Sequence, residues 1–264
     1  MIEDFHGKKS KLAYHFNGKN FSEKEVELIL EQPLTIYLND KEFITLLCYP
    51  ENVEELTVGF LKSEGLILEK KDIIKIEISK DNLSVHVKAK VPKLSEKLYE
   101  KRIVTTGCGK GSIFYFALDS LRSQVLEIKK KWHYRLILEK MHEVNRTKGS
   151  KNLGGLHVCG LFNGEEFFIR EDVGRHNALD KIVGHCILHS INYEDCIIFT
   201  TGRISSEILL KASKINAGVV VSRSTPTNLA YDIAEKLNIT VIGYVRGGLM
   251  TIYTAKERII TVDS

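Results

Sequence analysis

The sequence predicts an α/β protein built on a mixed sheet with crossover helices, plus a smaller β-rich region at its N-terminal end. Three observations predict it. From residue 154 onward, short apolar β-branched runs alternate with longer amphipathic stretches, the pattern of strands joined by helices. Before residue 104 the apolar runs instead come in pairs around tight-turn residues, the pattern of hairpins. Between the two lies a glycine-rich loop followed by helical segments.

Taken in order, PLTIYLNDKEFITLLC holds two β-rich runs around Asn39-Asp40, a hairpin turn. ENVEELTVGFLKSEGLI has helical spacing, with Val53, Leu56, Phe60 and Leu61 on one face. DIIKIEISKDNLSVHVKA is a second hairpin turning at Asp81-Asn82. A helix is expected from about Ser112 to Leu126, and Lys129–Lys131 as solvated helix surface. WHYRLILEKMHEVN then reads as a charged amphipathic helix, and the polar stretch 146–152 as a connector. GGLHVCGLF and EEFFIRE flank Asn163-Gly164, the clearest turn in the chain. Thereafter GRHNALDKIVGHCILH is a helix, DCIIFTTG a strand, ISSEILLKASKIN a helix and GVVVS a strand. PTNLAYDIAEKLN is the last of these helices, and TVIGYV and LMTIYT are strands. The expected organisation is a β-rich N-terminal region (1–104), a cysteine loop with connecting helices (105–150) and an α/β core (151–264).

Composition excludes several classes. A chain of 264 residues, 43% hydrophobic and 27% charged, can bury a full core and is not a disordered sequence. Charges interrupt every apolar window long enough to span a bilayer, and MIEDFHGKKSKLAYHF lacks the apolar core of a signal peptide, so a cytoplasmic location is expected. A net charge of +4 is too small to argue for duplex DNA, though it suits a phosphate-bearing ligand. The five cysteines are scattered and odd in number, which does not suggest a disulfide framework. Cys48, Cys159, Cys186 and Cys196 lie inside apolar segments and read as core residues.

Cys108 is different. In TTGCGKGS (105–112) it stands between Gly107 and Gly109, with Lys110 two residues on. The stretch is no Walker A loop, because Lys110 is followed by Gly111 and Val104 stands where the first glycine is required. Nor does it fit G-x-G-x-x-G. A thiol held in such a loop, beside a lysine and ahead of a helix, is biased toward thiolate; the alternative is a glycine-rich turn with an incidental cysteine.

Four further stretches carry polar residues at the ends of strands or the starts of helices. EDVGRHNALDKIVG places Arg175 and His176 in a first helical turn, where cations are unfavourable unless an anion or an acid such as Glu171 or Asp172 is close. Asp172 or Gly174 is the expected cap. TTGRISSEI contributes Arg203, SRSTPTNLA contributes Ser224 and Thr225, and GYVRGGLM contributes Arg246 with two glycines. If their strands are parallel, these loops share the sheet edge at which open α/β proteins bind ligands, and hydroxyls with arginines favour a phosphorylated one. The chain lacks the H-x-E and P-C-x-x-C of the zinc deaminases, a G-x-S-x-G elbow and a zincin helix, so no metal ligands are expected.

TTGCGKGS, REDVGRHNALDKIVG, TTGRISSEILLKA, VSRSTPTNLA and IGYVRGGLMTIYT, in this order, resemble the FdhD/NarQ family of formate dehydrogenase accessory proteins, over about residues 30–260. The resemblance implies a core related to cytidine deaminases without their zinc site. It implies a sulfurtransferase that acts as a persulfide carrier, accepting sulfane sulfur from a cysteine desulfurase. The sulfur then goes to the molybdenum of bis-molybdopterin guanine dinucleotide, before that cofactor enters formate dehydrogenase. Cys108 matches the family's persulfide cysteine, and Tyr244, Val245, Arg246, Gly247, Gly248 and Leu249 match its cofactor-binding segment. Some members carry C-x-x-C at the cysteine loop, where this chain has Gly111, so a one-cysteine mechanism is the simpler expectation. Arg203, Ser224, Thr225, Arg175 and His176 are expected to complete the cofactor site, with GDP as a fragment ligand. The implied partners are the desulfurase and the dehydrogenase, with no nucleic acid or membrane and a homodimer left open. Three rival readings remain: a nucleotide-binding protein in which Cys108 is incidental, a deaminase-like hydrolase, and a chaperone that shields the cofactor and docks the dehydrogenase without sulfur transfer.

Overall fold

The computed structural model describes residues 8–81, 83–92, 125–147 and 155–262. The loop TTGCGKGS, and all but the last residues of the helix expected over 112–126, lie outside them.

Strands β1 (Lys8–Phe16) and β2 (Phe21–Ile29) pair antiparallel along their whole length as a two-stranded ribbon. Next come β3 (Gln32–Leu38) and β4 (Lys41–Cys48), joined at Asn39-Asp40. Both turn residues have positive φ, 49° and 64°, the two-residue turn whose twist matches the strands it joins. Helix α1 (Val53–Ser63) follows, then β5 (Ile73–Ile78) and β6 (Ser84–Ala89), the second expected hairpin. The sheet order is β4-β3-β6-β5, with β3 and β6 parallel. Alternate residues of β3, Leu34, Ile36 and Leu38, are buried, so one face of this sheet is committed to a core.

Residues 125–131 carry no helix. Lys129 pairs with Glu194, and Lys130 donates to the Asn163 carbonyl and lies over the Trp132 ring, so the lysine cluster is exposed irregular chain rather than helix surface. Two residues of WHYRLILEKMHEVN form β7 (Trp132–His133), which pairs with a terminal strand that periodicity did not reveal. The rest is α2 (Tyr134–Arg146), capped by the His133 ring, which accepts from Arg135 N.

The core begins with the hairpin β8 (His157–Phe162) and β9 (Phe167–Asp172), turning at Asn163-Gly164 with Gly164 at φ 110°. It continues through α3 (Arg175–Leu188), β10 (Ile197–Thr200), α4 (Ser206–Lys214), β11 (Val219–Ser222), α5 (Asn228–Leu237), β12 (Thr240–Arg246) and β13 (Leu249–Ile252). The short β14 (Ile259–Ile260) closes on β7. The sheet order is β13-β12-β11-β10-β8-β9; β10, β11 and β12 are parallel, as the alternation requires, and β8 runs against β10. Alternation along the strands divides the core. Ile197, Phe199, Val219 and Val221 pack with Ile137, Met141 and Val144 of α2. Cys159, Leu161, Ile198 and Val220 pack on the other face, against α3, α4 and α5.

Helices α1 and α3 cross with their backbones in contact. A Cβ added at Gly59 would stand 1.8 Å from Asp180 O, and one at Gly184 would stand 1.8 Å from Glu55 O. Only hydrogen fits there. The apolar core therefore runs without interruption from Leu34 of the N-terminal sheet to Val241 of β12.

Candidate functional site

The C-terminal ends of β10, β11 and β12 meet in a set of loops tied to one another by hydrogen bonds. Ser222 Oγ donates to Gly202 O at 2.6 Å and accepts from Ser224 N at 2.8 Å. Arg223 N donates to Thr200 O, Ile204 N to Thr225 O, and Thr227 N to Ile204 O. Tyr244 N donates to Ser224 O at 2.8 Å. Short parallel strands leave their last carbonyls and amides without ladder partners, and these bonds supply them. They also bring the loops of Arg203, Ser224, Thr225 and Tyr244–Arg246 to one edge, with Arg203 and Arg246 exposed and Ser224 and Thr225 half-buried.

The segment 244–249 is shaped by a bulge. Tyr244 has φ 55°, and the β12–β13 register shifts between Gly243 and Arg246. Strict alternation would put Tyr244 on the inner face with Ile242. The bulge instead leaves Tyr244 43% exposed and turns Val245, 2% exposed, into the core against α2. Val245 can thus offer a ligand only its backbone. Gly247 and Gly248, at φ 59° and 78°, form the two-residue turn into β13, and Leu249 is 73% exposed. Arg246 lies over the Tyr244 ring at 5.8 Å. The hairpin tip thus displays an aromatic face, a guanidinium, an apolar side chain and bare backbone, the groups that hold a base and its phosphates.

Helix α3 starts at the same edge. Its cap is Gly174, whose N–H is held by Asp172 Oδ1 at 2.9 Å. Asp172 does not pair with Arg175 or His176. It is fully buried, with Lys181 Nζ at 2.7 Å and Tyr49 N at 3.2 Å, so this acid is spent inside the fold. His176 meets Glu207 of α4 at 3.1 Å. Arg175 packs beside Gly202, where an added Cβ would lie 3.0 Å from its Cδ and 3.4 Å from His157 Nδ1. His157 opens β8, which runs antiparallel to β10, and so lies at the same edge. Burial first, then the Arg175 charge, push its pKa below the ordinary histidine value. The sequence raises His157 only as the histidine of a failed H-x-E pattern, His157-Val158-Cys159; its place beside Gly202 is not legible, because it sits in a strand-like stretch far along the chain from that loop.

The cysteines divide as expected where they are described. Cys48, Cys159, Cys186 and Cys196 are free and fully buried. Burial pushes the thiols of Cys48, Cys159 and Cys186 up to about 12, and raises that of Cys196 as well. None of these four supplies a thiolate at neutral pH.

One cluster of metal-ligating type occurs among the described residues: Glu55, His185 and His189, with donor atoms within 4.8 Å of one another. A cation is already in place there. Arg170 Nε lies 2.5 Å from Glu55 Oε2, and its Nη2 lies 2.8 Å from both Glu55 Oε1 and His185 Nδ1. We read the group as a clamp between α1 and the core, not as a metal centre. A hollow of about 300 Å³ opens beside it, lined by residues that include Glu54, Glu55 and His189. Two carboxylates suit it poorly to a phosphate, and the polar loops of the sheet edge lie elsewhere.

The model of the FdhD/NarQ family matches residues 29–260. A protein of Bacillus subtilis (strain 168) named sulfur carrier protein FdhD is 42% identical over 250 residues, covering 94% of this chain and 95% of its own. A protein of the same name from Geobacillus kaustophilus is 40% identical over 265 residues, covering 98% and 99%. In three dimensions the chain matches the crystal structure of a protein from Desulfotalea psychrophila described as a formate dehydrogenase accessory protein. The TM-score is 0.77 at 23% identity, covering 96% of this chain and 99% of the other, so the fold is shared. On the family match and these near-full-length identities, the chain belongs to the FdhD/NarQ family.

Proposed function

We propose that this protein is a sulfur carrier for formate dehydrogenase maturation, working as a persulfide sulfurtransferase through Cys108. The observation that carries the reading is the inertness of the other thiols: four of the five cysteines are buried and held protonated. Cys108, in its glycine loop beside Lys110, is the remaining candidate nucleophile. Its thiolate attacks the outer sulfur of a cysteine desulfurase persulfide; the donor S–S bond breaks, the donor thiolate leaves, and Cys108 keeps the outer sulfur. That sulfane sulfur would then pass to the molybdenum of bis-molybdopterin guanine dinucleotide, its substrate; the Cys108 S–S bond breaks, the Cys108 thiolate re-forms, and the reduced metal supplies the two electrons that take the sulfur to sulfide. Relatives named sulfur carrier protein FdhD support the role, and the polar sheet edge supports docking of the guanine nucleotide end. There Tyr244, Arg246, Gly247, Gly248 and Leu249, the backbone of Val245, and Arg203, Ser224, Thr225, Arg175 and His176 would contribute. The sheet order, a hairpin followed by three parallel strands, supports a core related to the cytidine deaminases. Formate dehydrogenase is the client in this reading and the cytoplasm the setting; among the described residues, no helix is long and apolar enough to cross a membrane.

The test has two arms. After incubation with a cysteine desulfurase and cysteine, mass spectrometry should find one added sulfur on Cys108, and Cys108→Ala should abolish dehydrogenase maturation. Arg246→Ala should load sulfur normally but bind GDP more weakly, by the roughly 1.5–3 kcal/mol of a charge-assisted contact. Maturation by Cys108→Ala would leave a cofactor chaperone without sulfur transfer, and equal GDP affinities would remove Arg246 from the site.

A further inference from the structure

We propose that His157 and Arg175, facing each other across Gly202, form a phosphate subsite at this sheet edge, in which His157 binds the anion as imidazolium. The proposal rests on the reading of the edge as a nucleotide site, and adds to it a residue and a proton.

The geometry of Gly202 comes first. It is buried between Arg175 and His157, so closely that a methyl group would crowd Arg175, at 3.0 Å from its Cδ, while touching His157 Nδ1 at 3.4 Å. Backbone and two nitrogen-bearing side chains therefore converge on a small volume. The second observation is what these side chains lack. Among the described residues no carboxylate lies within ion-pair distance of either, and the buried Arg175 Nε has no hydrogen-bond partner. A shielded guanidinium nitrogen left unsatisfied costs free energy, which a bound oxyanion would recover. The nearest acid, Asp172, is the strand partner of His157 but is neutralised by Lys181 at 2.7 Å.

The charged groups bearing on His157 are Arg175 from α3 and Asp172 from β9; the loop after β10 brings Thr201, whose hydroxyl accepts from Val158 N, and Gly202. Burial first, then Arg175, against the smaller opposing effect of Asp172, favour the neutral ring. A phosphate dianion between the two reverses that balance, because it screens Arg175 and favours the charged ring. The pKa of His157 is then higher in the complex than in the free protein. Binding takes up a proton, and affinity rises as pH falls from the bound pKa to the free one.

The full-length chain would be titrated calorimetrically with GDP, and separately with inorganic pyrophosphate, at about pH 6 and about pH 8, where histidine changes charge. Buffers of different ionisation enthalpy would report proton uptake. His157→Gln keeps a hydrogen-bonding side chain without the titration. It should bind about tenfold more weakly than wild type at the lower pH, within about twofold at the higher, and with less proton uptake. The ligand's own titration is common to both proteins and cancels. On the wild-type chain, NMR titration of the His157 ring should show its pKa rising when pyrophosphate is added, a readout that needs no variant to fold. Pyrophosphate binding with that rise would assign the subsite to phosphate; a rise with GDP alone would still support His157 but tie it to the intact nucleotide. Equal affinities, pH profiles and proton uptake in His157→Gln and wild type would overturn the subsite, while loss of GDP binding in Arg246→Ala would keep the edge reading. No binding of either ligand by wild type at either pH would overturn both.

Discussion

Glu55 shows how opposing effects on one side chain resolve. Burial pushes its pKa up, but hydrogen bonds and charge from Arg170, with help from His185, more than offset this and hold it below the ordinary glutamate value. His185 is shifted down too, by burial first, with Arg170 adding to the effect and Glu55 opposing it. Both native pKa values lie below those of the unfolded chain, so the unfolded chain binds more protons in acid and stability falls with pH. For His185 the loss begins as pH drops through its unfolded value near 6.5; for Glu55 it begins near 4.5 and completes below the native pKa. Scanning calorimetry across this range should show the midpoint falling in two stages. His185→Gln should flatten the upper stage in part, since His157 also titrates there with a lowered pKa. An unchanged slope in His185→Gln would mean the clamp does not couple to folding. None of this cluster was legible in the sequence, because Arg170 meets a glutamate 115 residues away. The cysteines were legible, since an apolar neighbourhood along the chain predicts burial in the fold.

At the scale of elements, what the sequence revealed were turns and periods. Asn39-Asp40 and Asn163-Gly164 turn where expected, and every helix and strand expected after residue 155 is present. Features set by contact across the molecule were not visible. The bulge at Tyr244 interrupts a run that reads as plain strand, and β7 and β14 are too short to show a period. Gly59 and Gly184 look like weak points in two helices, yet they are where those helices touch. Two glycine-to-alanine changes separate the causes. Gly184→Ala drives a methyl into the Glu55 carbonyl, so α1 and α3 must part, at a cost of about 3 kcal/mol or more. Gly247→Ala meets no atom within 4 Å and should cost only the strain of its positive φ, about 1 kcal/mol. Urea unfolding of the two variants would compare them; similar costs would mean the crossing relaxes freely.

For the whole molecule, the question is whether the N-terminal sheet and the core unfold together. The crossing of α1 and α3 is reinforced by buried polar bonds spanning the same boundary. Lys181 Nζ donates to Tyr49 O at 2.9 Å, and Tyr49 N donates to Asp172. Ser63 Oγ donates to Asp180, which also pairs with Lys211 at 2.5 Å, and Lys214 reaches the Ser63 carbonyl. Separating the two parts would break the bonds of Tyr49, Ser63 and Glu55 to the core, while Lys181–Asp172 and Asp180–Lys211 stay paired within it, and would expose apolar surface on both sides. Opening the boundary therefore costs a set of buried polar bonds together with the apolar contact of α1 and α3. Native-state hydrogen exchange in rising denaturant should show β3 and β6 losing protection on the same isotherm as β10 and β11. The β1–β2 ribbon, which pairs only with itself among the described residues and exposes Leu12, Tyr14 and Phe21, should open earlier. If β3 and β6 exchange at a distinctly lower free energy than β10 and β11, the α1–α3 crossing is a dockable interface between two units. The glycines and the polar bonds across the boundary would then hold a joint that opens before the core unfolds.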